Sequence, residues 1–180
     1  MKLATTIAGL TLAVAAVYSV PANAQDTLLH SNAAQPAARC QSALPVFDTV
    51  VRKRPLGVQN EGDTTTFITC AFEFDAGEAV NFAPVLLDTY FSNFSGADAT
   101  VNCTAVTGWA GGTNEYVSLS VVVPNESTDP EDGNLFWEDV DFEGGGMADS
   151  LIAISCALPA GVGINDTYLV WEEETAAPPV

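Results

Sequence analysis

Acidic side chains are concentrated in one stretch of the chain, and calcium binding is the chemistry that this concentration suggests. Seven carboxylates fall within the fifteen residues 129–143. Calcium takes about six to eight oxygen ligands, which Asp and Glu in loops can supply. The spacing is not that of an EF-hand, because Gly133 is the fifth rather than the sixth position counted from Asp129 and no Glu is the twelfth. The competing interpretation is a solvated anionic surface. The candidate ligands are Asp129, Glu131, Asp132, Asp139 and Asp141.

Paired carboxylates could also hydrolyse a glycosidic bond. One acid would stay protonated beside an apolar neighbour such as Trp137, and a second would be ionised roughly 5–10 Å away. With 23 acids in the chain, chance alone would bring some pair to that distance, so the composition permits this enzyme without indicating it. A serine hydrolase is disfavoured because there is no G-x-S-x-G motif and the single histidine, His30, comes soon after the expected cleavage site. No catalytic residue is assigned.

Aromatic side chains offer a third kind of site, because a flat ring can stack on the apolar face of a sugar. The candidates for ligand binding are Trp109, Tyr116 and Trp137. Trp109 lies in the loop 107–113, which contains three glycines. A Trp beside a loop can instead cap the core, and since Phe136 and Trp137 alternate along a strand, one of the two is expected to be buried.

Four cysteines follow an export signal, which favours two disulfides. They are Cys40, Cys70, Cys103 and Cys156. Three pairings are open, and the spacing favours Cys40 with Cys70 and Cys103 with Cys156. A zinc site is the alternative, but there is no C-x-x-C pair and only one histidine.

The first residues have the pattern of a cleavable signal peptide. Lys2 is followed by an apolar stretch over 7–17 and by the small residues Ala22 and Ala24, so 1–24 is the predicted signal with cleavage after Ala24. The apolar stretch is too short for a transmembrane helix, and the tail 175–180 has no closing apolar segment. We expect a secreted or periplasmic protein that is soluble and not inserted into a membrane.

The expected mature chain is strongly acidic, with four cationic side chains against 23 acids and a formal net charge of −19. No Lys or Arg follows Arg54. Such a surface repels phosphate backbones and anionic lipids, which excludes nucleic acid as a partner. Neutral carbohydrate, a basic protein surface, divalent cations and other copies of the chain remain as candidate partners. Self-repulsion at this charge also predicts that stability rises with added salt.

Three of the four cationic residues are consecutive, at Arg52, Lys53 and Arg54. They could contact an anionic patch on another copy of the chain. The alternative is that they protect the edge of a sheet from pairing with other strands, since charged side chains there oppose edge-to-edge association.

Alternating apolar and polar residues predict strands through most of the chain. The clearest patterns lie at 67–74, 85–91, 101–105, 116–123, 151–158 and 164–173. Residues 151–158 are apolar or small on both faces, which is typical of a central strand. We predict an all-β protein with one antiparallel β-sandwich over 46–174, of jelly-roll or immunoglobulin-like topology, and a flexible N-terminal arm over 25–45. A closed barrel is the alternative.

Two classes of function remain open from the sequence. The favoured class is a non-catalytic binding or structural module at the cell surface or outside the cell. The other is a small secreted hydrolase of the glycosidase type that uses carboxylates. No cofactor is required for either, and Ca²⁺ is the one metal ion that the residues suggest.

Overall fold

Strands account for most of the chain in the computed structural model, which describes residues 27–44, 50–72, 82–108, 114–127, 129–143 and 151–174. The predicted signal peptide and the tail 175–180 lie outside these residues. The strands are Thr27–Ala34 (β1), Cys40–Ser42 (β2), Val51–Arg54 (β3), Gly57–Asn60 (β4), Thr66–Phe72 (β5), Phe82–Asn93 (β6), Ala99–Gly108 (β7), Asn114–Val123 (β8), Asn134–Glu138 (β9), Leu151–Leu158 (β10) and Val162–Glu174 (β11). One short helix, α1, spans Pro36–Arg39, and Pro130–Asp132 and Asp139–Asp141 form 3-10 turns.

The strands form two antiparallel sheets, which confirms the predicted sandwich. One sheet has five strands in the order β2-β5-β10-β7-β8. The other has six, in the order β3-β4-β11-β6-β9 with β1 also paired to β11. Strand β11 pairs with β6 along one edge. Along its other edge β11 pairs with two strands: β4 at Gly163 and Ile164, and β1 over residues 167–174.

The alternating patterns place the strands correctly. In β8 the outward Tyr116, Ser118, Ser120 and Val122 are exposed, whereas Val117, Leu119 and Val121 pack against the core. The strand ends at Val123 because Pro124 follows. β10 lies between β5 and β7, which confirms that it is a central strand. Its alternate residues Ile152 and Ile154 are fully buried or nearly so.

The expected N-terminal arm is wrong for the described residues of that segment. β1 pairs with β11 over eight residues, and β2 pairs with β5. The sequence shows no alternation here because none of the described side chains of β1 over 27–33 is buried. Backbone hydrogen bonds therefore hold β1 to the sheet, together with His30, whose ring stacks on Trp171 at 5.3 Å and whose Nε2 lies 2.7 Å from Oε2 of Glu173.

Both disulfides lie inside the five-stranded sheet and have the pairing that the spacing favoured. Cys40 is bonded to Cys70 and Cys103 to Cys156, and each pair joins residues directly opposite one another on neighbouring strands. The four cysteines are at most 2% exposed and belong to the hydrophobic core. The bonds therefore fix β2 to β5 and β7 to β10 from the buried side.

Two buried asparagines connect the sheets to each other. Asn93, at the end of β6, donates from Nδ2 to the carbonyl oxygens of Ala97 and Val123. Asn60, at the end of β4, donates from Nδ2 to the carbonyl oxygens of Thr64 and Leu158. Each amide thus closes the loop after its own strand and reaches a strand end of the other sheet, which holds the two layers in register.

Candidate functional site

The outer face of the five-stranded sheet carries no charged side chain among its described positions. This feature is unexpected in a chain with 23 acids. These positions are the alternate residues that point away from the core: Gln41, Phe67, Thr69, Ala71, Thr100, Asn102, Thr104, Val106, Asn114, Tyr116, Ser118, Ser120, Val122, Leu151, Ala153, Ser155 and Ala157. We call this surface the uncharged face.

A row of hydroxyl and amide groups crosses the middle of the uncharged face. The register places one residue from each strand directly opposite the next, in the order Gln41, Thr69, Ser155, Thr104 and Ser118. The hydroxyl oxygens of Thr104 and Ser118 are 2.8 Å apart and hydrogen bonded. The row is therefore a continuous line of groups that can each donate or accept a hydrogen bond.

A shallow groove of about 320 Å³ lies on this face. Thr104, Ser118 and Ser155 of the central row line the groove. The adjacent row also lines it, and the strand register places its residues opposite one another in the order Phe67, Ala157, Asn102 and Ser120. Phe67 is 58% exposed and forms an aromatic wall at the β5 side of the groove. The groove thus combines small polar side chains with one flat apolar ring.

Tyr116 lies on the opposite side of the uncharged face from Phe67. It ends the third row, which runs through Ala71, Ala153 and Val106, and it is 65% exposed. Tyr116 also lines a second cleft, of about 460 Å³, with Glu115, Asp141 and Glu143. The uncharged face therefore has an exposed ring at each side, and at the Tyr116 side it borders a cleft that three carboxylates line.

The three aromatic residues predicted from the sequence have different outcomes. Trp109 lies outside the described residues. Tyr116 is exposed on the uncharged face, as a ligand-binding ring must be. Trp137 is wrong as a ligand-binding residue, because its side chain is fully buried and its indole Nε1 donates to the carbonyl oxygen of Val117 at 3.1 Å. Phe136, its neighbour on β9, is the exposed one of the pair.

The five predicted calcium ligands are not gathered into one site. Within the part of the chain that the structure describes, no group of three or more His, Cys, Asp or Glu side chains is placed to hold a metal ion. Asp129 accepts a hydrogen bond from the backbone N–H of Glu131 at 3.0 Å, and Asp141 accepts one from that of Glu138 at 2.8 Å. These two carboxylates cap the 3-10 turns, and Glu131, Asp132 and Asp139 lie within the same turns. Calcium binding stays a prediction.

The outer face of the six-stranded sheet is different in character. Asp88 on β6 is 7% exposed and accepts hydrogen bonds from the Tyr90 side chain and, at 3.4 Å, from Nδ2 of Asn134. The bond to Asp88, together with burial and the charge of Asp166, raises the pKa of Tyr90 to about 12. Asp88 is therefore already occupied as a hydrogen-bond acceptor within the protein.

The basic cluster lies on β3, which is an edge strand of the six-stranded sheet. Nε of Arg52 is 2.7 Å from Oε2 of Glu61, and the guanidinium of Arg54 pairs with the other oxygen of the same carboxylate. Two of the three cationic side chains thus have an internal partner. This position fits protection of a sheet edge.

Phe67 was not among the ligand-binding residues predicted from the sequence. Its strand alternates clearly, with Ile68, Cys70 and Phe72 toward the core, so the pattern already places Phe67 on the outer side. An aromatic residue at an outward strand position, with Thr69 and Ala71 rather than charges beside it, was the available signal.

Among the described residues, no helix has the length and apolarity that crossing a bilayer requires. No protein-family model matches the chain, and no curated protein matches it in sequence.

Two solved structures are similar to this chain at low identity. The crystal structure of the Podospora anserina GH26-CBM35 β-(1,4)-mannanase aligns with 83% of this chain at 12% identity and a TM-score of 0.34. This chain spans 28% of the length of that enzyme. The structure of TmCBM61 in complex with β-1,4-galactotriose aligns with 79% of this chain and 86% of its own, at 14% identity and a TM-score of 0.36. The fold and site described above rest on the strand pairing and surfaces of this chain alone.

Proposed function

We propose that this protein is an exported, non-catalytic module that binds neutral saccharides in the groove of its uncharged face. The observation that carries the proposal is the exclusion of charge from a polar groove with an exposed aromatic wall, in a chain whose net charge is −19 after removal of the predicted signal. The two buried disulfides fit an oxidising compartment outside the cytoplasm.

The chemistry of the groove suits a sugar that carries no charge. Sugar hydroxyls both donate and accept hydrogen bonds, as do the side chains of Thr104, Ser118, Ser155 and Asn102 that line the groove. Binding there removes no ionised side chain from water, so the cost of burying polar groups stays small. Phe67 can stack on the apolar face of a sugar ring. The acidic remainder of the surface repels uronic and sulfated sugars at low ionic strength.

Substitution of Phe67 tests the proposal directly. We expect Phe67→Ala to weaken binding to a neutral polysaccharide by at least about fivefold, because a stacked ring provides about 1 kcal/mol or more in a binding site. Affinity gel electrophoresis with soluble neutral glucans, mannans, galactans and xylans identifies the polysaccharide that binds best. Titration calorimetry with that polysaccharide then gives the Kd.

Phe136→Ala is the matched control. Phe136 is 51% exposed, close to the 58% of Phe67, but it lies on the outer face of the six-stranded sheet. The Phe136→Ala variant should bind the polysaccharide with the same Kd as the wild type. Equal losses in the two variants, or no binding of the wild type to any neutral polysaccharide in the panel, would refute the proposal.

A further inference from the structure

Five strands of the sandwich have only one hydrogen-bonded neighbour among the described residues, and four of them are poor sites for adding another strand. β2 has three residues and β9 has five, and β3 carries the cluster Arg52–Arg54. Short edges and charged edges are both known to discourage strand addition. β1 has eight residues but none of its described side chains over 27–33 is buried, so a strand added there would gain no contact with the core.

β8 is the exception. It has ten residues in unbroken register with β7, and it contains no Pro, Lys or Arg. Its inward side chains include Val117, Leu119 and Val121, which pack against the core but remain partly exposed. A long open edge with partly exposed apolar side chains is a template for another strand. The indole of Trp137 uses the carbonyl of Val117 from the buried side, and a carbonyl oxygen can accept a second bond.

The sequence of β8 is complementary to itself. If two copies pair antiparallel with Leu119 opposite Leu119 of the partner subunit, like residues meet along the strand. Val117 then faces Val121 of the partner subunit, Ser118 faces Ser120 of the partner subunit, and Tyr116 faces Val122 of the partner subunit. Aromatic, β-branched and hydroxyl pairs of this kind stabilise antiparallel sheets.

Charge on β8 itself does not oppose this pairing, although Asp141 and Glu143 line a cleft beside the strand with Tyr116 and Val117. Glu115 is the one charged residue of β8, and in this register it faces Val123 of the partner subunit, so no two carboxylates of the strands meet. A contact in which residue i meets j and j meets i is also what a two-fold dimer requires.

We propose that two copies of this chain associate through antiparallel pairing of their β8 strands, which joins the two five-stranded sheets into one. The pairing covers the partly exposed Val117, Leu119 and Val121 of both copies. It also places the two uncharged faces side by side. Because each copy carries a net charge of −19, the dimer is more stable at high ionic strength than at low.

Sedimentation of the mature protein at about 0.05 M and about 1 M NaCl tests the association. We expect a monomer–dimer equilibrium that shifts toward the dimer at the higher salt. Ser120→Lys, which imitates the charged edge of β3, should raise the dimer dissociation constant at least about tenfold.

The control is Asn102→Lys. Asn102 is directly opposite Ser120 but lies on β7, an inner strand, so this variant has the same charge on the same face without altering the edge. It should dimerise like the wild type. Hydrogen exchange should also slow with protein concentration in β8 and not in β2.

A monomer under every condition overturns the proposal, as does a dimer that Ser120→Lys leaves intact or that Asn102→Lys breaks equally. The inference does not depend on saccharide binding. The saccharide test uses Phe67→Ala, outside β8, so either proposal can fail while the other stands.

Discussion

The two outer faces of the sandwich differ in charge although they belong to the same chain and the same fold. The face of the five-stranded sheet has no charged side chain among its described positions. The face of the six-stranded sheet carries Asp88, Asp166, Glu138 and Glu172 beside its exposed ring, Phe136. Each face presents at least one aromatic side chain, so the presence of rings does not distinguish the two.

The acids of this chain are therefore distributed unevenly between the two faces. An acidic composition places carboxylates wherever nothing opposes them, and the six-stranded face accepts several. Hydroxyl, amide and uncharged apolar side chains occupy the equivalent outward positions of β5, β7, β8 and β10. Solubility alone would favour acids there too, and the proposed neutral ligand would account for their exclusion.

The largest expected effect is the loss of stability on removing the disulfides, which among the described residues lie only in the five-stranded sheet. Replacing Cys103 and Cys156 together by Ala should lower the free energy of unfolding by about 2–4 kcal/mol, because the bond closes a loop between residues 53 apart in the unfolded chain. Urea unfolding measures the change. The same replacement at Cys40 and Cys70, which lie 30 apart, should cost somewhat less. An unchanged urea midpoint for both variants would show that the disulfides do not stabilise the fold.

A smaller effect should come from the acids of the other face. We expect the melting temperature to rise between low and molar NaCl, because salt screens repulsion among the carboxylates. Asp166→Asn combined with Glu172→Gln should reduce this salt dependence, whereas Ser118→Asn on the uncharged face should not. Calorimetric melting curves at several salt concentrations compare the three proteins. A melting temperature that falls with salt in the wild type would contradict this explanation.

The smallest effect involves the hydrogen bond between Tyr90 and Asp88 on the six-stranded face. The pKa of Tyr90 is raised from 10.0 to about 12, chiefly because its hydroxyl donates to Asp88. A raised pKa means that the folded state favours the protonated phenol, so this contribution to stability is complete below pH 10.0 and is lost as the pH rises through about 12. Ultraviolet titration should show one late tyrosine that moves back toward its ordinary pKa in Asp88→Asn. A titration curve that Asp88→Asn leaves unchanged would remove Asp88 as the cause.

Long strands with one buried face could be predicted from the sequence. The short strands β2 and β4, and β1, which buries none of its described side chains over 27–33, could not. β8 and β10 show alternation because their inward residues must be apolar to join the core. β1 is held through its backbone, so its sequence carries no such pattern, and its pairing with β11 joins segments more than a hundred residues apart. The disulfide pairing could be favoured because Cys40 is nearest in sequence to Cys70 and because the strand patterns turn both Cys103 and Cys156 inward.

The candidate site could be predicted only in part. The outward hydroxyls of β8 follow from alternation, and so does the outward position of Phe67. The row from Gln41 to Ser118 depends on the register of five strands that are not all neighbours in the sequence, and alternation within one strand does not fix that register. The burial of Trp137 could also have been predicted, because Trp137 alternates with the apolar Leu135, whereas Phe136 shares its face with the polar Asn134 and Glu138.

Mapping the binding surface by nuclear magnetic resonance tests the central claim most directly. The neutral oligosaccharide that binds best is titrated into the ¹⁵N-labelled mature protein, and backbone amide shifts are followed. The saccharide proposal predicts shifts centred on Phe67, Asn102, Thr104, Ser118 and Ser155, with the amides around Phe136 unchanged. Shifts centred on Phe136 and Asp88, or no shift with any neutral oligosaccharide, would contradict it.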